Sequence, residues 1–371
     1  MVVFGFKRAA SEGRPADVSV VIPVYNHESF VVEAIQSVLV QTSQPREIIC
    51  IDDGSTDGSA GRVEHLARRQ ASLRFWSRPN QGAARTLNEG IQAATSRYIA
   101  ILNSDDLYHP TRLARCLAVL EADPNVAVVA SEICFLDGEG RSIANPWYDN
   151  ARNFYREVGD LGLALVNGNF LMTTSNVVAR RSLFEEVGGF DELRYAHDLD
   201  FFLRLVVHGR KVTVLGQPLL AYRFHGSNTI SESAHKVKVE WAAATAFFAR
   251  RLSVGRDPER RGPKYLRRLL EVTDHHQLTG LVTQVLLYVQ GDQLGPERAC
   301  RELRRILKPG GCHISSIAVY WDKPARSAAP SSATVASSTC SNRCSMGTPT
   351  GQRVRWFSST SGPTSWSVTS P

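Results

Sequence analysis

Short β-branched runs alternate with amphipathic stretches through the first third of the chain. Val18-Ser19-Val20-Val21-Ile22 reads as a strand stopped by Pro23. From Ser29 to Val40, residues Phe30, Ala34, Ile35, Val38 and Leu39 fall on one helical face. Glu47 to Ile51 predicts a second strand, Ser59 to Gln70 a helix, and Leu73-Arg74-Phe75-Trp76 a short third strand. Gly82 to Ala94 follows as a helix, then Tyr98 to Leu102 as a strand. Thr111 to Glu121 and Val126 to Ser131 repeat the pair. This alternation predicts an α/β fold with a mostly parallel, doubly wound sheet flanked by helices.

The pattern then loosens. Residues from about Gly138 to Asn169 are irregular and leave room for an acceptor-side lid or subdomain. Ser182 to Val187 is a short helix closed by Gly188-Gly189. Leu199 to Val207 is another, closed by Gly209. Lys236 to Leu307 reads as several amphipathic helices rich in Arg and Leu. After Pro324, Ser, Thr, Pro and Ala dominate, and such a composition cannot offset chain entropy by packing. Disorder is expected there, and the abrupt change suggests a shifted reading frame. The division is an N-terminal arm (1–16), an α/β domain (17–232), a helical extension (233–312) and a tail (313–371).

Composition narrows the class. The 371 residues are 43% hydrophobic and 21% charged, which is globular. A net charge of +7 favours phosphorylated substrates or anionic lipid. No nucleic-acid-binding motif is present. The 7 Cys are odd in number. Cys50, Cys116 and Cys134 sit in apolar patterns, as free thiols of a reducing compartment do. Cys340 and Cys344 lack a second ligand pair for zinc. No apolar stretch spans a bilayer, and Met1 to Pro15 lacks a signal-peptide core. A cytoplasmic protein is expected. The clustered Arg250, Arg251, Arg260 and Arg261 mark the place where it would touch an inner membrane face.

The candidate chemistry lies at strand ends. Ile48 to Ile51 runs into Asp52-Asp53-Gly54-Ser55. Tyr98 to Leu102 runs into Asn103-Ser104-Asp105-Asp106. Ligands of open α/β sheets bind beyond the carboxyl ends of strands. Carboxylates placed there suit a base N–H, a ribose hydroxyl and a divalent cation. Each cluster alone is also an ordinary turn. Tyr25, after Pro23, can present its ring to a base. Asp57 and Ser59 are read as helix caps.

Taken in order, these elements resemble family 2 glycosyltransferases of the GT-A fold. The set is Val20 to Asn26, Ile51 to Ser55, Asn80-Gln81-Gly82, Leu102 to Asp106, Val187 to Asp191, His197-Asp198 and Tyr222-Arg223-Phe224-His225. It covers residues 18 to about 230. The resemblance implies non-processive, inverting sugar transfer from a UDP- or dTDP-linked donor to a glycan or lipid-linked acceptor, in surface polysaccharide or glycolipid synthesis. It implies that Pro23 and Tyr25 line the nucleotide pocket. Asp53 would bind the base, and Asp52 would support that loop. Asp105 would contact ribose or metal, Asp106 would hold Mn²⁺ or Mg²⁺, and Asp198 would be the catalytic base. Arg223 and His225 would lie near the diphosphate, with Arg85 approaching nucleotide or phosphates. Two positions depart from the family: His197 replaces a Glu, and Asn103 replaces an acid.

Three other readings compete. A degenerate sugar-nucleotide-binding module is motivated by His197. A dinucleotide oxidoreductase lacks its Gly-x-Gly-x-x-Gly after the first strand. A methyltransferase segment at Leu307 to Gly311 has too little chain after it.

Overall fold

The computed structural model describes residues 15–289, apart from 227 and 256, together with 345–347 and 353–355. Backbone contacts divide the chain after Ala244, past the 232/233 boundary read from the sequence. The first unit opens with β1 (Ala16–Val24), α1 (Val31–Leu39), β2 (Pro45–Asp52), α2 (Ser59–Ala67), β3 (Leu73–Ser77) and α3 (Ala83–Ala93). It continues with β4 (Tyr98–Ile101), β5 (Leu107–Tyr108), α4 (Arg112–Ala122), β6 (Val126–Leu136) and β7 (Ser142–Ile143). Then come α5 (Pro146–Val158), α6 (Leu161–Asn167), β8 (Val178–Arg180), α7 (Ser182–Val187), α8 (His197–Val207) and β9 (Lys211–Arg223).

These strands form one sheet in the order β3-β2-β1-β4-β8-β6-β9-β5, with β7 beside β6. β3, β2, β1 and β4 are parallel, and β6 pairs parallel with β9. β8 and β5 enter antiparallel. The α/β architecture is the expected one. Val18, Val20, Val21, Ile22 and Val24 of β1 are all fully buried, as a strand covered on both faces requires. α1 buries Val31, Ala34, Ile35 and Val38, one helical face. Gly90 lets α3 close on β1, for a Cβ there would sit 2.3 Å from Val21 Cγ1.

The fold departs from the sequence pattern in four places. β1 runs through Pro23 to Val24 instead of stopping. Val21 O accepts from Leu102 N on the β4 side, and Val24 O accepts from Asp53 N on the β2 side. By alternation, Pro23 turns its missing N–H toward β4, beyond the last β4 partner at Ile101. The irregular stretch holds two helices, α5 and α6. β9 and β8 were not expected; the bulge between the Leu215 and Pro218 pairings hides β9 behind Gly216 and Pro218. Finally, α8 begins at His197, so Asp198 lies within its first turn rather than ahead of it.

In the second unit, the end of α9 (Ala234–Val254) is followed by α10 (Pro258–Arg261), α11 (Pro263–His275) and α12 (Thr279–Val289). These bury Leu252, Leu269, Leu278, Leu281 and Val285. β10 (Ser345–Gly347) pairs antiparallel with β11 (Arg353–Arg355), where the sequence suggested disorder. The rest of the expected tail lies outside the described residues. Among the described residues no helix is long and apolar enough to cross a membrane. Cys50, Cys116 and Cys134 are free.

Candidate active site

Three loops meet at the carboxyl ends of β1, β2 and β4. Asn26, with φ of +51°, turns the first loop so that its N–H reaches Ser55 Oγ at 2.9 Å. Its Oδ1 accepts from Thr56 N at 2.8 Å. His27 N donates to Ser59 Oγ at 2.8 Å. Asp57 and Ser59 thus hold the β1–α1 loop, whereas the N-cap position of α2, expected to fall to one of them, is Gly58, with no side-chain cap hydrogen bond. Pro23 leads into this loop, and Tyr25 stands out from it, 44% exposed.

The first acidic pair is turned inward. Asp52 accepts from Ser77 Oγ at 2.7 Å and from Ser55 N. Asp53 Oδ1 accepts from Gln81 N at 2.8 Å and pairs with Arg78, and Oδ2 accepts from Gly82 N at 2.9 Å. Gly54, with φ of +74°, permits this: a Cβ there would meet Asn80 N at 2.8 Å. Arg78 is a residue the sequence did not single out. Arg85 pairs with Glu192, and this is where its guanidinium is held.

The second cluster divides its two acids. Asp105 Oδ2 lies 3.0 Å from His225 Nε2 and 3.8 Å from His27 Nε2. Asn228 Nδ2 is 3.4 Å away. Burial works against the Asp105 charge, but the hydrogen bond from His225 and the charges of both imidazoles outweigh it. Its carboxyl is held below the usual range. Burial lowers the His27 imidazole despite Asp105, which favours the neutral, ligating form. His27 Nδ1 lies 2.8 Å from Ser104 Oγ. A proton on Nδ1 given to Ser104 leaves the Nε2 lone pair facing Asp105.

Asp106, expected to hold the metal, is bound into the fold on both oxygens. Its Oδ2 accepts from Ser175 Oγ at 2.6 Å and its Oδ1 from Arg223 N at 3.1 Å. Each oxygen thus accepts one hydrogen bond from the fold. Burial, and then the neighbouring Asp105, push its carboxyl well above the usual range. The three ligand atoms that come together, all within 4.8 Å, belong to His27, Asp105 and His225. Two imidazoles and a low carboxyl form a donor set that fits a divalent metal.

Arg223 also differs from expectation. It is 3% exposed, with Nε on Asp105 O at 3.0 Å and Nη2 on Glu33 at 2.7 Å. Its cation lies over the Phe30 ring. It braces the Asp105 loop through that residue's carbonyl. Asn103 explains its own departure from the family acid: Nδ2 donates to Thr173 Oγ1 while Oδ1 accepts from Thr174 Oγ1. An amide does both; a carboxylate only accepts.

Asp198 is 8% exposed. Oδ1 accepts from Leu199 N at 2.7 Å and Oδ2 from Asn169 Nδ2 at 2.8 Å. A helix N-terminus by itself favours the charged form of a carboxyl. Burial wins instead and raises the Asp198 pKa, against His197, Leu199 and Asn169. Burial, and then the charges of Asp106, Asp105 and Asp198, raise the Tyr222 phenol. His27, Ser104, Ser175, Asn169 and Asn228 went unnoticed in the sequence. Only His27, adjoining the Pro23 to Asn26 run, carried a local signal.

The chain resembles known proteins in the same region. Residues 19–188 match the model of glycosyl transferase family 2. An uncharacterized glycosyltransferase of Nostoc is 28% identical over 231 residues, 62% of this chain and 71% of that one. Other relatives are far longer, and the chain spans 17% of two from Rickettsia. The S. aureus TarS fragment solved with UDP-GlcNAc superposes with a TM-score of 0.55 at 16% identity, over 73% of this chain and 80% of that one. A Pyrobaculum calidifontis mannosyltransferase, solved with GDP-Man and Mn²⁺, gives 0.52 at 18% identity, over 82% and 83%. At such identities the shared feature is the GT-A fold.

Proposed function

We propose, for a chain whose residues 19–188 place it in glycosyl transferase family 2 and which is thus a glycosyltransferase, a metal-dependent, inverting, single-addition reaction. The donor is a nucleotide diphosphate sugar and the acceptor a hydroxyl of a glycan or lipid-linked glycan. The observation that carries the reading is the His27–Asp105–His225 group, whose ligand atoms all lie within 4.8 Å of one another.

Asp198 takes the proton of the acceptor hydroxyl. The acceptor oxygen bonds to the anomeric carbon as the bond from that carbon to the diphosphate oxygen breaks. The electron pair leaves with the diphosphate. Asn169 and the Leu199 N–H fix the carboxylate for this task. Its raised pKa makes it a stronger base than an exposed Asp. His27, Asp105 and His225 would hold Mn²⁺ or Mg²⁺, which supplies positive charge for the departing diphosphate. Tyr25 offers its exposed ring to the base. Asp52 and Asp53 build the loops around the base pocket. The structural relatives bind UDP-GlcNAc and GDP-Man, so the pyrimidine preference read from sequence needs a direct comparison.

A surface polysaccharide or glycolipid is the destination we favour. Peripheral contact with an inner membrane face, through the Arg250 and Arg251 region, belongs to the same proposal. A calorimetric screen of UDP, dTDP and GDP, each with and without Mn²⁺, tests the reading. Mn²⁺-dependent binding of one nucleotide is expected. Failure of all three in folded protein removes the reading, whereas nucleotide binding without sugar transfer favours the non-catalytic module suggested by His197.

A further inference from the structure

We infer that Trp147 is the stacking platform for the acceptor, a pyranose ring seated on its indole face beside Asp198. This rests on the glycosyltransferase reading above. Trp147 is 47% exposed, one of a few large apolar side chains left open in the described residues. Among those residues its indole N–H makes no hydrogen bond. The ring is nevertheless held in place. Asn145 caps α5 by accepting from Tyr148 N at 3.1 Å, and Pro146 fixes the first turn. The buried Tyr148, next in sequence, accepts Ile133 N on its hydroxyl at 3.0 Å. The backbone that carries Trp147 is thus anchored on both sides of it.

The ring rests on the segment that positions the base. A Cβ on Gly168 would come within 3.0 Å of Trp147 Cζ2, so the indole edge lies against that glycine. The next residue, Asn169, donates to Asp198 Oδ2 at 2.8 Å. Bond lengths then keep the indole edge within about 14 Å of the Asp198 carboxylate. That span accommodates a sugar whose hydroxyl meets Asp198 while its ring, or that of its neighbour, covers Trp147. Two turns further along α5, Tyr155 stacks on Phe170 with ring centroids 4.6 Å apart, so this face of the helix already packs along residues 168–170.

The chemistry selects a sugar. The axial C–H groups on one face of a pyranose are slightly positive and meet the negative face of an aromatic ring. A rigid, half-exposed indole binds such a face at little entropic cost. A nucleobase is the other ring that would stack here. The donor-side loops lie at the β1, β2 and β4 ends, however, whereas Trp147 borders Asp198 through Gly168 and Asn169.

The test uses the full chain saturated with UDP and Mn²⁺, so that no transfer occurs. Methyl pyranosides of glucose, galactose, N-acetylglucosamine and rhamnose are titrated by saturation-transfer NMR. Trp147→Ala should weaken the glycosides that bind by about tenfold or more, and Trp147→Phe should hold within about threefold. UDP affinity should stay within about twofold in both. Unchanged glycoside binding in Trp147→Ala overturns the inference. So does an equal loss of UDP binding, which would make the ring a mere prop. Wild type that binds UDP but no glycoside also overturns it, and leaves the glycosyltransferase reading standing. Wild type that is folded by circular dichroism yet binds no UDP removes that reading and the inference with it.

Discussion

His225 Nε2 lies 3.0 Å from Asp105 Oδ2, although 120 residues separate them in the chain. β9 carries the one to the other by pairing with β5, Leu107 opposite Ala221. The proposed metal-binding group is therefore completed next to the strand hardest to see in the sequence.

The donor set of this group, two nitrogens and one oxygen, ranks metals. Imidazole ligands favour Mn²⁺ over Mg²⁺, which prefers oxygen. Calorimetry should show tighter Mn²⁺ than Mg²⁺ binding to the full chain. Ser104→Ala, which frees the His27 tautomer, should weaken Mn²⁺ about 10-fold, and His225→Ala by more. Chelation of the metal should abolish nucleotide binding.

Asp106 should behave as a structural acid. Asp106→Ala leaves the Ser175 hydroxyl and the Arg223 N–H without their acceptors. Urea titration should show a loss of about 2 kcal/mol or more. Asp106→Asn, which keeps one acceptor, should recover part of it. Its Mn²⁺ affinity should stay within about threefold of wild type, while Asp105→Asn loses far more.

At Asp198 stability and the proposed role as base pull in opposite directions. Its folded pKa is raised, chiefly by burial. The contribution to stability is therefore present below the unfolded value and lost as pH rises through the folded one. At neutral pH the ionised group is a burden. Asp198→Asn should raise the thermal midpoint at pH 7, but not at pH 3, while transfer falls by about 10²- to 10⁴-fold. The acid limb of the wild-type rate profile should sit above the ordinary carboxylate range.

Glu47 does the opposite. It joins Ser19, Arg74 and Thr95, and is 7% exposed. Burial opposes its charge, but the bonds from Thr95, Arg74 and Ser19 lower its pKa to about 2. Its stabilisation is present above its unfolded value and lost as pH falls toward 2. Glu47→Gln should cost on the order of 2 to 3 kcal/mol at pH 7, measured by urea titration, and little at pH 2.

The parallel half of the sheet was legible because β1, β2 and β4 are nearly continuous buried runs and α1 carries a single apolar stripe. β8 is three residues long, and β9 is interrupted by a bulge, so neither carried a clean period. In the site, the residue types were visible but not their directions. Nothing in Asn103-Ser104-Asp105-Asp106 says that Asp105 turns to the imidazoles and Asp106 to Ser175. Ser175, Asn176 and Asn169 are spent on positioning, and a polar residue on a loop shows no pattern that distinguishes this from solvation. Burial of Asp198, which reverses the effect of the helix end, is a property of the packed fold alone.

The most direct test of the account is release of nucleoside diphosphate from a panel of UDP-, dTDP- and GDP-sugars by the full chain, with the methyl pyranosides as acceptors. The account predicts release from one donor class that requires Mn²⁺, is lost in Asp105→Asn, and falls in Asp198→Asn with nucleotide binding intact. Release that persists without metal, or that survives Asp198→Asn unchanged, would contradict it.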